Sequence, residues 1–269
     1  MDSIIHAVEL SRAGNQQHRP SSLPGDSHNE AIDSRFRSLQ LNPAYLETTR
    51  IVAHGGSDDP HGRYYDMLRT QVLQEMDQNG WQFLAITSPT AGCGKSVTAC
   101  NLAMSISRLA GRSVMLVDLD LQKPRISQYL GLDSKQGLLS VVQNKAALSS
   151  VVVEASVGGS KFMILPGEAC ERGSAEWMAS QAMSTLLQTI KREFRSRIVI
   201  FDMPPVLIGD DVISILPQMD AVLLVAGVGS SSTADIKECR KHLANTPVVR
   251  VVVNRVTDTT DAYYGYSSY

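Results

Sequence analysis

The run SPTAGCGKS, from Ser88 to Ser96, has the residue types and spacing to hold phosphate. Gly92 and Gly94 let the backbone curl so that successive N–H groups face an anion. A helix opening near Lys95 would add its positive end. Lys95 offers a full charge to β- and γ-phosphates, and Ser96 a hydroxyl to Mg²⁺. The expected nucleotide contacts are Ala91, Gly92, Cys93, Gly94, Lys95, Ser96 and Val97. The usual pattern, G-x-x-x-x-G-K-[ST], has glycine where this chain has Pro89. Proline cannot donate to phosphate, and it keeps Ser88 extended, as a strand end requires.

Carboxylates follow at the ends of two apolar runs. VMLVDLD, from Val114, closes on Asp118 and Asp120. IVIFDMPP, from Ile198, closes on Asp202, and Pro204 and Pro205 stop further strand pairing. One aspartate at a strand end is usually a turn former or a cap. Two such strands behind a phosphate loop make a Mg²⁺–nucleotide site the expectation. Asn254, ending the run VVVNR, could read a nucleobase or serve as a turn residue. The chain closes DAYYGYSSY, and four of its eight tyrosines (Tyr263, Tyr264, Tyr266 and Tyr269) lie in the last seven residues. This segment reads either as an aromatic tail lying on a surface or as a cluster of phospho-acceptors, each phosphate adding about −1.5 to −2 of charge.

These groups need a scaffold, and the texture after Gly80 supplies one. Apolar runs (WQFLAIT, SVMLVDLD, KFMILP, RIVIFDM, AVLLVAG, VVRVVVN) alternate with helical stretches at about 95–109, 174–194 and 233–243. Continuously apolar strands between helices predict an α/β fold, a mostly parallel twisted sheet covered on both faces. Upstream, Tyr65, Leu68, Val72 and Met76 mark one stripe of a helix over 63–78. Residues 14–38 hold four apolar residues in 25, a linker composition. The expected organisation is a short amphipathic helix at 1–13, a flexible linker at 14–60, a P-loop domain at 61–256 and a tail at 257–269.

Composition narrows the function classes. With 25 basic and 27 acidic residues in 269, the net charge of −2 argues against a chain-wide grip on nucleic acid. No apolar run approaches the ~18 residues of a membrane helix, and the N-terminus has no signal-peptide pattern. Cys93, Cys100, Cys170 and Cys239 form no C-x-x-C pair, so a reducing, cytoplasmic setting is expected.

The loop, VDLDLQKPR, the run GLDSKQGLLS from Gly131, DMPPVLIGD and the tyrosine tail together resemble the bacterial tyrosine kinases (BY-kinases) of capsule and exopolysaccharide systems. These are relatives of the Min/Par-type P-loop ATPases, and the likeness covers roughly residues 60–269. Par-type relatives usually carry a lysine where this chain has Thr90, which favours the kinase branch. The resemblance implies ATP and Mg²⁺ as cofactors. Lys95 would clamp the phosphates, Ser96 and Asp202 would hold the metal, and Asp118 would share in metal binding and orient or deprotonate the incoming tyrosine. Asp120 would support the metal shell, and the tail of one subunit would enter the site of another. It also implies a membrane polysaccharide co-polymerase or chain-length protein as activator, self-association, a cognate phosphatase, and a place at the inner face of the membrane through that partner. Two positions depart from the family. Its D-x-D-x-R would put arginine at Gln122, and its ring-forming E-x-x-R-x-x-R is matched by Arg63, Asp66 and Arg69. The alternatives are a non-kinase Min/Par-type ATPase switch and a nucleotide-binding pseudokinase scaffold.

Overall fold

The runs expected as strands become the centre of an eight-stranded sheet in the computed structural model, which describes residues 36–53, 60–195 and 197–256. The strands are β1 (Arg37–Gln40), β2 (Phe83–Thr87), β3 (Ser113–Asp118), β4 (Val153–Val157), β5 (Ser160–Leu165), β6 (Arg197–Asp202), β7 (Ala221–Gly227) and β8 (Val248–Asn254). Their order is β1-β4-β5-β3-β6-β2-β7-β8. Every pairing is parallel except the β4–β5 hairpin, so β1 and β4 run against the other six. The mostly parallel sheet is thus as expected, with an antiparallel border.

The helices are α1 (Pro43–Thr48), α2 (Pro60–Asn79), α3 (Lys95–Ser107), α4 (Ile126–Leu130), α5 (Leu138–Val142), α6 (Leu148–Val151), α7 (Ser174–Met178), α8 (Gln181–Glu193), α9 (Asp211–Ile215) and α10 (Thr233–His242). Strand alternation divides the core into two layers. Leu84, Ile86, Leu116, Ile200 and Leu223 point into one layer, with Ala99, Leu102 and Ile106 of α3 and Val72 and Met76 of α2. Phe83 and Phe201 pack edge to face, with centroids 4.9 Å apart, and Lys191 of α8 lies over the Phe83 ring. The helical stretch expected over 174–194 is two helices, because the Ser180 hydroxyl accepts the Met183 N–H and starts a new one.

The expected linker 14–60 needs correction from residue 36 onward. Phe36, Leu41, Leu46, Ile51 and Ala53 are buried, β1 pairs with β4, and α1 is capped by Asn42. Those apolar residues supply the burial that residues 14–35 lack in composition. The helix expected at 1–13, the linker residues 14–35 and 54–59, and the tail 257–269 lie outside the described residues. No helix among the described residues is long and apolar enough to cross a membrane.

Candidate nucleotide site

Three neighbouring strands, β3, β6 and β2, end side by side. Asp118 and Asp202 are register partners, and Ile86 pairs with Asp202 two residues before the loop begins. The loop from Ser88 to Gly94 then turns back and enters α3 at Lys95. Gly92 and Gly94 have φ of 81° and 91°, which excludes most side chains. A Cβ on Gly94 would also collide with the Asn254 amide. Neighbouring segments fasten the loop. Thr90 Oγ1 donates to Ser230 O at 2.7 Å, Cys93 Sγ lies 3.1 Å from Ser231 Oγ, and Val206 N donates to Ser88 O at 2.8 Å.

Lys95 is 9 % exposed and faces the acids. Its Nζ donates to Asp120 Oδ2 at 2.8 Å, to Asp202 Oδ1 at 3.3 Å and to Ser96 Oγ at 3.4 Å. Burial works against the ammonium charge, but Asp202 and Asp120 overcome it and hold the lysine above its ordinary range. For Asp202 burial dominates and pushes the carboxyl up against the pull of Lys95 and the Ser96 hydroxyl. Its second oxygen, Oδ2, is buried and has no hydrogen-bond partner.

That orphaned oxygen, beside a hydroxyl and a second carboxylate, suits a hard divalent cation. No group of three His, Cys, Asp or Glu among the described residues could hold a metal alone. Magnesium in phosphate-loop proteins does not need one, since substrate phosphates and water complete its shell. Asp202, Ser96 and Asp120 fit that partial set.

The two carboxylates at the end of β3, Asp118 and Asp120, stand in different surroundings. Asp118 is fully buried, and its Oδ2 accepts both Arg125 N and Ile126 N at 2.9 Å. Its Oδ1 accepts only a long 3.3 Å bond from Asp120 N. Burial, then the charge of Asp202, pushes its pKa up to about 8. Gly167 closes over it so tightly that an added Cβ would lie 2.7 Å from Asp118 Cγ. Asp118 therefore pins the turn into α4. Asp120 holds Lys95 and lines the open cavity in front of the loop. Asp118, expected to share in metal binding and to meet the tyrosine, keeps one oxygen, Oδ1, with only that long bond.

Of the seven expected loop contacts, all but Cys93 line that cavity. Asn254 lines it too, with its amide on the loop: Nδ2 donates to Cys93 O at 3.0 Å and Oδ1 accepts Arg255 N at 2.9 Å. Gln122 donates to Asp211 Oδ2 at 2.8 Å. Asp66 Oδ1 accepts from Arg69, Arg108 and Ser105, so this helix charge is spent inside the subunit. Gly137 of the GLDSKQGLLS run packs on Gly167, and Glu168 caps α5 through Ser140. Sequence reasoning missed Glu168, Gly167 and Asn101, whose amide ties α3 to residues 50–52. No local pattern marks any of the three. The four tail tyrosines lie outside the described residues.

A family model described as the CobQ/CobB/MinD/ParA nucleotide binding domain matches residues 84–264. The chain is similar to the putative tyrosine-protein kinase EpsB of Ralstonia nicotianae, 32% identical over 222 residues, covering 81% of this chain and 28% of that protein. It is also similar to the tyrosine-protein kinase YwqD of Bacillus subtilis, 26% identical over 232 residues, covering 85% and 95%. Among solved structures, the kinase domain of Escherichia coli tyrosine kinase ETK superposes with a TM-score of 0.64 at 22% identity, covering 97% of this chain and 91% of that one. The chain thus spans little more than a quarter of the length of EpsB and nearly all of YwqD.

Proposed function

The chain belongs to the CobQ/CobB/MinD/ParA nucleotide-binding domain family, and from that premise we propose that it is an ATP- and Mg²⁺-dependent tyrosine autokinase regulating export or chain length of a surface polysaccharide. One observation carries the kinase reading over a plain nucleotide switch. Strand β8 ends on the phosphate loop, where Asn254 bonds Cys93 O, and the four-tyrosine segment begins nine residues further on, at Tyr263. A phenol on that segment starts its path beside a nucleotide site.

Phosphoryl transfer requires mainly positioning and charge neutralisation. Lys95 exchanges Asp120 and Asp202 for substrate phosphate oxygens, which its long stem permits from the first turn of α3. Loop N–H groups and the α3 N-terminus hold the remaining negative charge. Asp202 and Ser96, with Asp120, would hold Mg²⁺, which would supply neutralisation of the phosphate charge. The phenol oxygen bonds to the γ-phosphorus, the bond to the β–γ bridging oxygen breaks, and ADP leaves. Asp118 is the candidate to orient the phenol and take its proton once nucleotide and cation are in place, and Asp120 supports the metal shell. Asn254 positions the loop and borders the space for a base.

The similarity to YwqD, named a tyrosine-protein kinase, supports the kinase reading, and the family resemblance adds a membrane co-polymerase or chain-length protein as activator. On this reading the chain works at the inner face of the membrane through that partner, associates with its own copies, and is reset by a cognate phosphatase. The inward-turned Asp66 and the Gln122–Asp211 bond favour a second reading, a nucleotide switch or pseudokinase without the family's ring. Mass spectrometry of the purified chain with ATP and Mg²⁺, with and without a membrane partner, decides between them. Phosphotyrosine between 263 and 269 is expected. Hydrolysis of ATP with no phosphotyrosine in either condition refutes the kinase reading in favour of the switch.

A further inference from the structure

The segment before α2 builds one wall of the cavity in front of the loop, and it contains a constrained arginine. Arg50 has a φ of 64°, a left-handed conformation that disfavours every residue except glycine. That bend closes α1 in the usual way: Arg50 N donates to Glu47 O at 3.1 Å and Ile51 N to Leu46 O at 2.9 Å. Asn101, buried on α3, donates Nδ2 to Arg50 O at 3.0 Å and accepts Val52 N at 2.7 Å, clasping both sides of the bend. Tyr45 OH to Gln128 O and Thr49 Oγ1 to Tyr129 O, at 2.8 and 2.7 Å, lock the same segment onto α4.

Arg50 lines the cavity together with Lys123, Arg125 and Arg255. The carboxylates in that lining are Glu47 and Asp120, and Asp120 already pairs with Lys95. No ion pair among the described residues engages Arg50, Lys123, Arg125 or Arg255. Arg255 leans over the loop, within 4.0 Å of where a Cβ on Gly92 would stand. The other three come from the α1–α4 side, next to Asp120. The chain itself contains a segment of matching chemistry: residues 257–269 carry Asp258 and Asp261, four tyrosines, and no lysine or arginine.

We propose that Arg50, Lys123 and Arg125 form a cationic wall that selects the acidic tyrosine segment 257–269 of a second copy of this chain. Use of that segment as a phosphoryl acceptor rests on the kinase reading above; its binding does not. The wall sets substrate preference by charge, favouring a tyrosine flanked by aspartate, and its attraction weakens as salt rises.

A fluorescein-labelled peptide of residues 257–269, and its counterpart carrying Asp258→Asn and Asp261→Asn, are titrated with the full-length protein in ADP and Mg²⁺ and followed by anisotropy. The acidic peptide is expected to bind about tenfold tighter than the neutral one. That preference should disappear at high salt and in the Lys123→Gln/Arg125→Gln protein, whose altered side chains are exposed and leave the fold intact. Arg50→Lys should keep the preference and Arg50→Ala reduce it, with fluorescent-ADP affinity within about twofold in every variant. Equal affinity of the native protein for the two peptides overturns the proposal. So does a variant that loses ADP affinity while keeping peptide preference, since the cations would then serve the nucleotide. Absent preference with phosphotyrosine still formed refutes the wall and leaves the kinase reading standing. Preference without phosphotyrosine supports the wall and refutes the kinase reading.

Discussion

Replacing Asp118 by asparagine should make the protein's stability less dependent on pH, and the structure sets the size of the effect. Burial raises the Asp118 pKa from 3.8 to about 8. Between those values the folded chain keeps a proton that the unfolded chain has released. Stability is therefore undiminished below the unfolded value, falls as pH rises through the window, and stays lost above about pH 8. Each unit is worth about 1.36 kcal/mol, so the native protein should lose up to about 2.7 kcal/mol relative to Asp118→Asn between about pH 5 and pH 7. Asparagine keeps a carbonyl for Arg125 N and Ile126 N but turns an NH₂ toward Asp120 N–H, an offset of about 1–3 kcal/mol that does not change with pH. Urea unfolding of both proteins at several pH values, without nucleotide, separates the two contributions. If the stability difference is the same at every pH, or the native protein gains on the variant as pH rises, Asp118 is ionised throughout and its placement as a buried, protonated pin is wrong.

Three further outcomes follow from the same geometry. Lys95→Met should abolish phosphoryl transfer and strand Asp120 and Asp202 without a cation, lowering stability by about 3 kcal/mol at neutral pH and by less in acid, as thermal melts at two pH values would show. Asn101→Ala should cost about 2 kcal/mol in urea unfolding by releasing Arg50 O and Val52 N, with little change in fluorescent-ADP affinity. A chain ending at Thr260 should bind nucleotide as before and lose most phosphotyrosine, read by anti-phosphotyrosine blot; full signal would move the acceptors elsewhere.

The phosphate loop, the three strand-end aspartates and the parallel sheet were legible because each depends on a local pattern. Glycines before Lys95, apolar runs ending in acid and alternating helices are written in consecutive residues. The border strands were less so. Arg37–Gln40 is a half-exposed edge strand with no apolar run, and only its pairing with Val153–Val157 makes it a strand. That second strand did have a signal, the Gly158–Gly159 pair, whose φ values of 55° and 84° suit a tight hairpin turn.

By itself the sequence determined that this chain would cradle phosphate between Ser88 and Ser96, that carboxylates would stand beside it, and that a tyrosine-rich acidic segment would follow the last strand. Tertiary structure alone decided what surrounds each carboxylate. Asp118 and Asp120 are two residues apart and chemically identical. The β3–β6 register and the turn into α4 bury one against backbone N–H groups and aim the other at Lys95. It also decided that Lys95 waits among acids, that Asp66 turns inward, and that the chain at Arg50 is fastened to α3 by an asparagine 51 positions away. Charge placement depends on distances between segments remote in the chain. A one-dimensional pattern carries the identity of a charged group but not the partner that sets its proton affinity.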